Sequence, residues 1–146
     1  SVDEDERQKS LGKQEKDLAL RLSRQDGELS NRIADLEAQR DTNIKSLREV
    51  EEGELARLED AMEQQTNETM KLGRDLTEKL EASLHKPLSE DISLPWQDTV
   101  LISAGTVVET EHIETLREAL TYRLNDIEHE VRRQQEDARQ VIQARI

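Results

Sequence analysis

The chain has 146 residues, of which 33% are hydrophobic and 1% aromatic, with no Phe and a single Trp, Trp96. An ordinary compact core needs large side chains that interdigitate in three dimensions, so this composition excludes one and points to an elongated helical protein. A net charge of -13 argues against the basic face that a phosphate backbone requires, and the lack of cysteine excludes disulfides and cysteine metal sites.

Residues 1–15 are charged, with one large apolar residue besides Val2, Leu11, and read as a lead-in that is either frayed helix or disordered. From residue 16 to 86 the charge, 38% of the chain as a whole, is arranged around an apolar stripe that repeats every eleven residues, an order that disorder lacks. Three columns carry it. The first is Leu18, Leu29, Arg40, Glu51, Met62, Gly73 and Leu84; the second Leu22, Ile33, Ile44, Leu55, Thr66 and Thr77; the third Gln25, Leu36, Leu47, Leu58, Thr69 and Leu80. A strict heptad started at Leu18 and Leu22 soon meets Asn43, Arg57 and Lys71 on one line and Arg32, Ser46 and Asp60 on the other. Eleven residues over three turns is about 3.67 per turn, the period of a nearly straight or slightly right-handed seam. The stretch is therefore predicted to be one long helix, about 105–120 Å for 70–80 residues, that packs against parallel copies or partners.

The seam has polar interruptions with two readings. Gln25, Arg40, Glu51, Thr66, Thr69 and Thr77 either fix the register between chains, or the seam shifts phase and lets Arg40 reach solvent with its stem buried. Gly27, Gly53 and Gly73 are either tolerated surface glycines, each costing roughly 1 kcal/mol against Ala, or points where a partner approaches the backbone closely. His85, Lys86 and Pro87 end the helix, since basic groups suit the terminal carbonyls and proline cannot continue the ladder.

Residues 87–109 are expected to form a small β-rich connector: Thr99 to Ile102 and Thr106 to Val108 are β-favouring, and Ala104-Gly105 marks a turn between them. An isolated hairpin is marginal in water, so Trp96, Leu101, Gly105, Val107 and Val108 are read as a clamp packed across chains or onto a helix end. Thr110 is the expected N-cap of a final helix over 110–146. There the apolar lines read as heptads: Ile113, Leu120, Ile127, Gln134 and Val141 on one, and Arg117, Leu124, Val131, Ala138 and Arg145 on the other. That period implies a left-handed winding, in contrast to the first helix.

No pattern carries catalysis. His129-Glu130 opens like a zinc-protease helix motif, but Arg133 stands where its second His is required. There is no Gly-rich phosphate loop, no Ser with a recognisable His partner, no signal peptide, and no apolar run near the ~20 residues that span a bilayer. The expectation is no enzyme, no cofactor, no metal, no nucleic-acid partner and no membrane insertion.

Residues 96–120, WQDTVLISAGTVVETEHIETLREAL, resemble a short module of tail-fibre and surface-fibre proteins of bacteriophages and bacteria, through Trp96, Ala104, Gly105, Thr106, Val108, His112, Ile113, Leu116 and Arg117. The resemblance implies a structural element of a virion appendage (fibre, collar or spacer), commonly a homotrimer, associated with other virion or fibre proteins and located in the virion.

The fold expected is all-α: an elongated parallel coiled coil, eleven-residue and then heptad, interrupted by the β-rich module. Mixed Leu and Ile at equivalent positions favour a homotrimer over a dimer. The oligomer seam would comprise Leu18, Leu22, Leu29, Ile33, Leu36, Ile44, Leu47, Leu55, Leu58, Met62, Leu80, Ile113, Leu120, Leu124, Ile127 and Val131. The alternative is a prefoldin-like or other helical-hairpin binding subunit, in which the two helices fold back on each other.

Overall fold

A computed structural model of the chain describes residues 2–146. It contains two helices, α1 (Val2–Ala82) and α2 (Thr110–Gln143), and no strand among the described residues. The first proline is Pro87, so nothing in α1 interrupts the hydrogen-bond ladder, and Asp3, Glu4 and Asp5 suit the positive end of the helix dipole. The charged lead-in is therefore helical from Val2 onward. The chain divides into two compact units, Ser1–Arg48 and Glu49–Ile146. Each has its own character.

In the N-terminal unit only Gly12, Ile44 and Leu47 are even half-buried. Every other described residue there is exposed, including Leu11, Leu18, Leu22, Leu29, Ile33 and Leu36.

In the C-terminal unit α2 folds back along the second half of α1 as an antiparallel pair. Leu120 of α2 lies against Gly73, while further along α2, Gln135 reaches back to Leu55 and Glu59. At the connected end Leu80 and Leu116 are fully buried with Leu88, Ile92, Leu94, Ile102 and Val108 from the connector, flanked by Leu76, Leu84, Trp96, Leu101, Ile113 and Leu120. The connector thus finds its cover on the helix ends of its own chain.

The β-rich connector is corrected. Residues 83–109 hold only three isolated bridges, Leu84 with Val108, Pro87 with Val107, and Ile92 with Ile102. Leu88 N–H donates to Thr106 O and Ile92 N–H to Ile102 O, but no ladder propagates between these points. Pro87 and Pro95 have no N–H to give, and five apolar side chains turn inward to plug the hairpin end, which a flat two-stranded ribbon does not allow. Asp91 Oδ1 accepts from Ala104 N–H at 2.7 Å, and Gly105 takes φ +85° in the turn that follows, a conformation that favours glycine.

A histidine stands at each end of the connector. His85, at φ +66°, ends the α1 turn, and its Nδ1 lies 3.0 Å from Glu109 Oε2. The N-cap of α2 is Glu109 and not Thr110, and His112 Nδ1 accepts the Glu109 N–H at 2.9 Å. An imidazole at the third helical position does here what Glu or Gln does in the usual capping box.

The heptad reading of α2 is also corrected. Gln134, Val141, Arg117 and Arg145 are exposed, whereas Leu116, Ile127, Val131, Gln135 and Ile142 are buried. The covered residues fall into columns eleven apart: Leu116, Ile127, Ala138; Leu120, Val131, Ile142; Ile113, Leu124, Gln135. Two helices that are to stay in contact over many turns need the same period, and α2 keeps that of α1.

Candidate functional site

The eleven-residue stripe is present in the sequence of each unit, and its surroundings differ between the two. In the C-terminal unit every column residue of α1 is covered. Leu58, Thr69, Gly73 and Leu80 are buried, and Glu51, Leu55, Met62, Thr66, Thr77 and Leu84 half-buried. Across from them α2 contributes Ile127 and Val131, both buried, and Ile113, Leu120 and Leu124, half-buried. The covering helix belongs to the same chain.

Side-chain size explains why this part of the stripe turns from Leu and Ile to Thr and Gly. A Cβ built on Gly73 would stand 2.7 Å from Leu120 Cδ1, so the glycine admits a leucine that alanine would crowd. Gly27 and Gly53 have nothing within 4 Å of such a Cβ and are surface glycines. Thr69 Oγ1 donates to Gln65 O at 2.8 Å and Thr77 Oγ1 to Gly73 O at 2.7 Å, which satisfies their hydroxyls within α1. These threonines are small spacers facing large partners. A groove of about 490 Å³ opens beside them, bordered by Gly73, Thr77, Ile113, Leu120 and Leu124.

A polar latch fixes the register toward the far end of the pair. Arg132 Nη1 donates to Glu59 Oε2 at 2.7 Å and to Gln135 Oε1 at 2.8 Å, and Gln135 Nε2 donates to the same Glu59 oxygen at 2.9 Å. Gln135 also reaches Leu55 O at 3.3 Å, although it is only 4% exposed. The Arg132 guanidinium, and after it the Gln135 amide, hold the Glu59 carboxyl below its ordinary value of 4.5. Arg132 turns across the seam to Glu59, while the ion pairs along each helix, such as Arg57 with Glu54 and Arg133 with Glu130, are three residues apart.

Of the connector residues singled out in the sequence, Val108 is buried, Trp96 and Leu101 are half-buried, and Gly105 and Val107 are exposed. The Arg123 guanidinium carbon sits 5.3 Å from the Trp96 ring centre, within cation–π range. Trp96 is therefore held within its own chain, between the connector core and α2.

In the N-terminal unit the same columns carry Leu18, Leu22, Leu29, Ile33 and Leu36, each 52–60% exposed. Ile44 and Leu47 are half-buried. Leu11, also exposed, extends the second column back by one repeat. Six large aliphatic side chains at regular spacing on one face, turned to water, form a candidate association surface. Sequence reasoning placed these residues on a seam. It missed Leu116, Gln135 and Ile142 on α2, whose signal was their eleven-residue spacing from Ile127, Leu124 and Val131.

The chain matches no protein-family model, no curated protein and no solved structure. Among the described residues no group of three or more His, Asp or Glu is placed to hold a metal ion, and no helix is long and apolar enough to cross a membrane. What the arrangement offers chemically is apolar surface with charged borders, suited to binding another helix.

Proposed function

We propose that this chain is a structural component that works by self-association, a rod or spacer of the virion-appendage class implied by the fibre-type resemblance, and that it carries no catalytic activity. The observation that supports the reading is the uncovered stripe from Leu11 to Leu36. A repeat kept through Leu18, Leu22, Leu29, Ile33 and Leu36 has no use on a solvated helix, and burying half-exposed leucines stabilises association at about 25 cal/mol per Å² removed from water. In the C-terminal unit the stripe is already covered by α2. Mixed Leu and Ile at equivalent columns favour three copies over two. Sedimentation equilibrium of the full chain tests this: a mass of three chains is expected, and a monomer at all concentrations would remove the proposal.

The folded-back pair in the C-terminal unit favours a second reading, a helical-hairpin binding subunit whose exposed stripe takes non-native or partner segments. Suppression of the aggregation of a heat-denatured test protein by a monomeric form of this chain would support that reading over the first.

A further inference from the structure

We infer that the N-terminal stripe pairs with the same stripe of further copies in parallel and in register, each copy's acidic border lying against the next copy's basic border. The inference rests on the self-association proposed above and adds its direction and alignment.

Continuity is the first ground. In residues 51–84 the stripe is covered by a helix of matching eleven-residue period, and in residues 11–36 the stripe keeps that period with nothing over it. A second copy supplies the matching period by construction. The charges beside the stripe are the second ground. Four residues beyond Leu11, Leu22 and Ile33, and so on the second-column border, stand Glu15, Asp26 and Glu37. Four residues before Gln25 and Leu36, on the third-column border, stand Arg21 and Arg32. All five are exposed, and none of them takes part in an ion pair among the described residues. Between Glu15 and Glu37 one border carries three acids and the other two arginines, with uncharged Ser10 and Asn43 at the arginine border's positions one repeat before and after.

Helix geometry turns that asymmetry into a direction. When two helices pack in parallel, the left border of one faces the right border of the other, so acid meets base on both sides of the contact. In an antiparallel pair each border faces its own kind, which would set Asp26 and Glu37 against acids and Arg32 against arginine. The same rule closes a ring of three parallel chains. By contrast, the covered half of α1 meets α2 antiparallel and uses the cross-seam pair Arg132–Glu59 instead of bordering rows. Direction is encoded separately in the two halves.

The chain has no cysteine, so single cysteines report alignment cleanly. Leu22→Cys and Leu36→Cys lie fourteen residues apart, about 21 Å along a helix, and the two full-length variants are oxidised separately with oxidised glutathione. Parallel in-register copies form disulfide-linked dimers at both positions. An antiparallel pair brings at most one of the two against itself, so cross-linking at one position or neither, in a protein that still sediments as an oligomer, overturns this inference and leaves self-association standing. A monomer overturns both. As a second reading, Asp26→Lys with Glu37→Lys should weaken association on the order of tenfold at low salt, and adding Arg21→Glu with Arg32→Glu should restore it by exchanging the borders. An unchanged dissociation constant for the first pair is the antiparallel result and contradicts the inference.

Discussion

The two halves of α1 carry one repeat and meet two fates. From Glu51 to Leu80 the columns are covered within the chain, by α2 and, at the connected end, by the connector, and from Leu11 to Leu36 they face water. The covered half has exchanged aliphatics for Thr66, Thr69, Gly73 and Thr77, and at Gly73 the small residue admits Leu120 of α2. The uncovered half keeps Leu and Ile at nearly every column. A seam fitted to one fixed partner can be irregular, because only that partner must match it, whereas a seam that meets copies of itself is best served by repetition of the same residues. Where a stripe breaks its own composition, a dedicated partner is the physical reason.

The largest effect expected separates the two halves by what it does to folding. Leu80→Ala removes a fully buried side chain from the connector core and should cost about 2–5 kcal/mol in denaturant unfolding followed through Trp96 fluorescence. Leu29→Ala, in an exposed column, should leave that unfolding within about 0.5 kcal/mol in dilute solution, as at other surface sites, and act only on association. Next comes Ile33→Asp, which would gather one charge from every copy in a single apolar layer. Burial of such a charge without a partner costs several kcal/mol, so the oligomer should be lost while the Trp96 transition of the C-terminal unit stays in place.

Gln135→Ala should cost about 1–3 kcal/mol in the same unfolding measurement, because Leu55 O and the arginine–carboxylate pair lose a buried partner. Smaller still, Gly53→Ala, in the same unit and with open space beside it, should stabilise by up to about 1 kcal/mol through helix propensity, while Gly73→Ala should show no such gain, since its methyl meets Leu120 at 2.7 Å. Equal gains from the two would mean that the helices are not in contact at Gly73.

The latch adds a pH dependence confined to the covered half. Glu59 binds its proton more weakly in the folded chain than in the unfolded one, because Arg132 and Gln135 stabilise the carboxylate. Its stabilising contribution is therefore fully present above the ordinary value of 4.5 and is lost as the pH falls through the lowered folded value. In Glu59→Gln that part of the acid limb should flatten, measured as the change in unfolding free energy between pH 6 and the acid transition.

In the C-terminal unit the eleven-residue columns of α1 were legible in the sequence, because there the apolar spacing marks the face that is covered. Which chain does the covering was not, since Leu58 or Leu80 looks the same under a helix of its own chain or of another. The period of α2 misled for a local reason. Ile113, Leu120, Ile127 and Val141 sit seven or fourteen apart and imitate a heptad, yet Val141 is exposed and Leu116, Gln135 and Ile142, off the heptad lines, join Ile127 among the buried residues. The connector misled because Thr99 to Ile102 and Thr106 to Val108 have strand-like side chains, and their use as plugs for a hairpin end depends on tertiary surroundings that a local propensity cannot carry. Thr69 and Thr77 suggested polar layers between chains, and their hydroxyls are instead satisfied by carbonyls four residues back.

A stripe covered from within in one half and by other copies in the other should show itself in amide hydrogen exchange of the full chain across a hundredfold range of concentration. Exchange slows where helices are held by packing and speeds where a helix is free to open locally. Protection of residues 55–82 should be independent of concentration, and protection of residues 16–36 should rise with it. Concentration-independent exchange in residues 16–36, or protection of residues 55–82 that appears only at high concentration, would contradict the account.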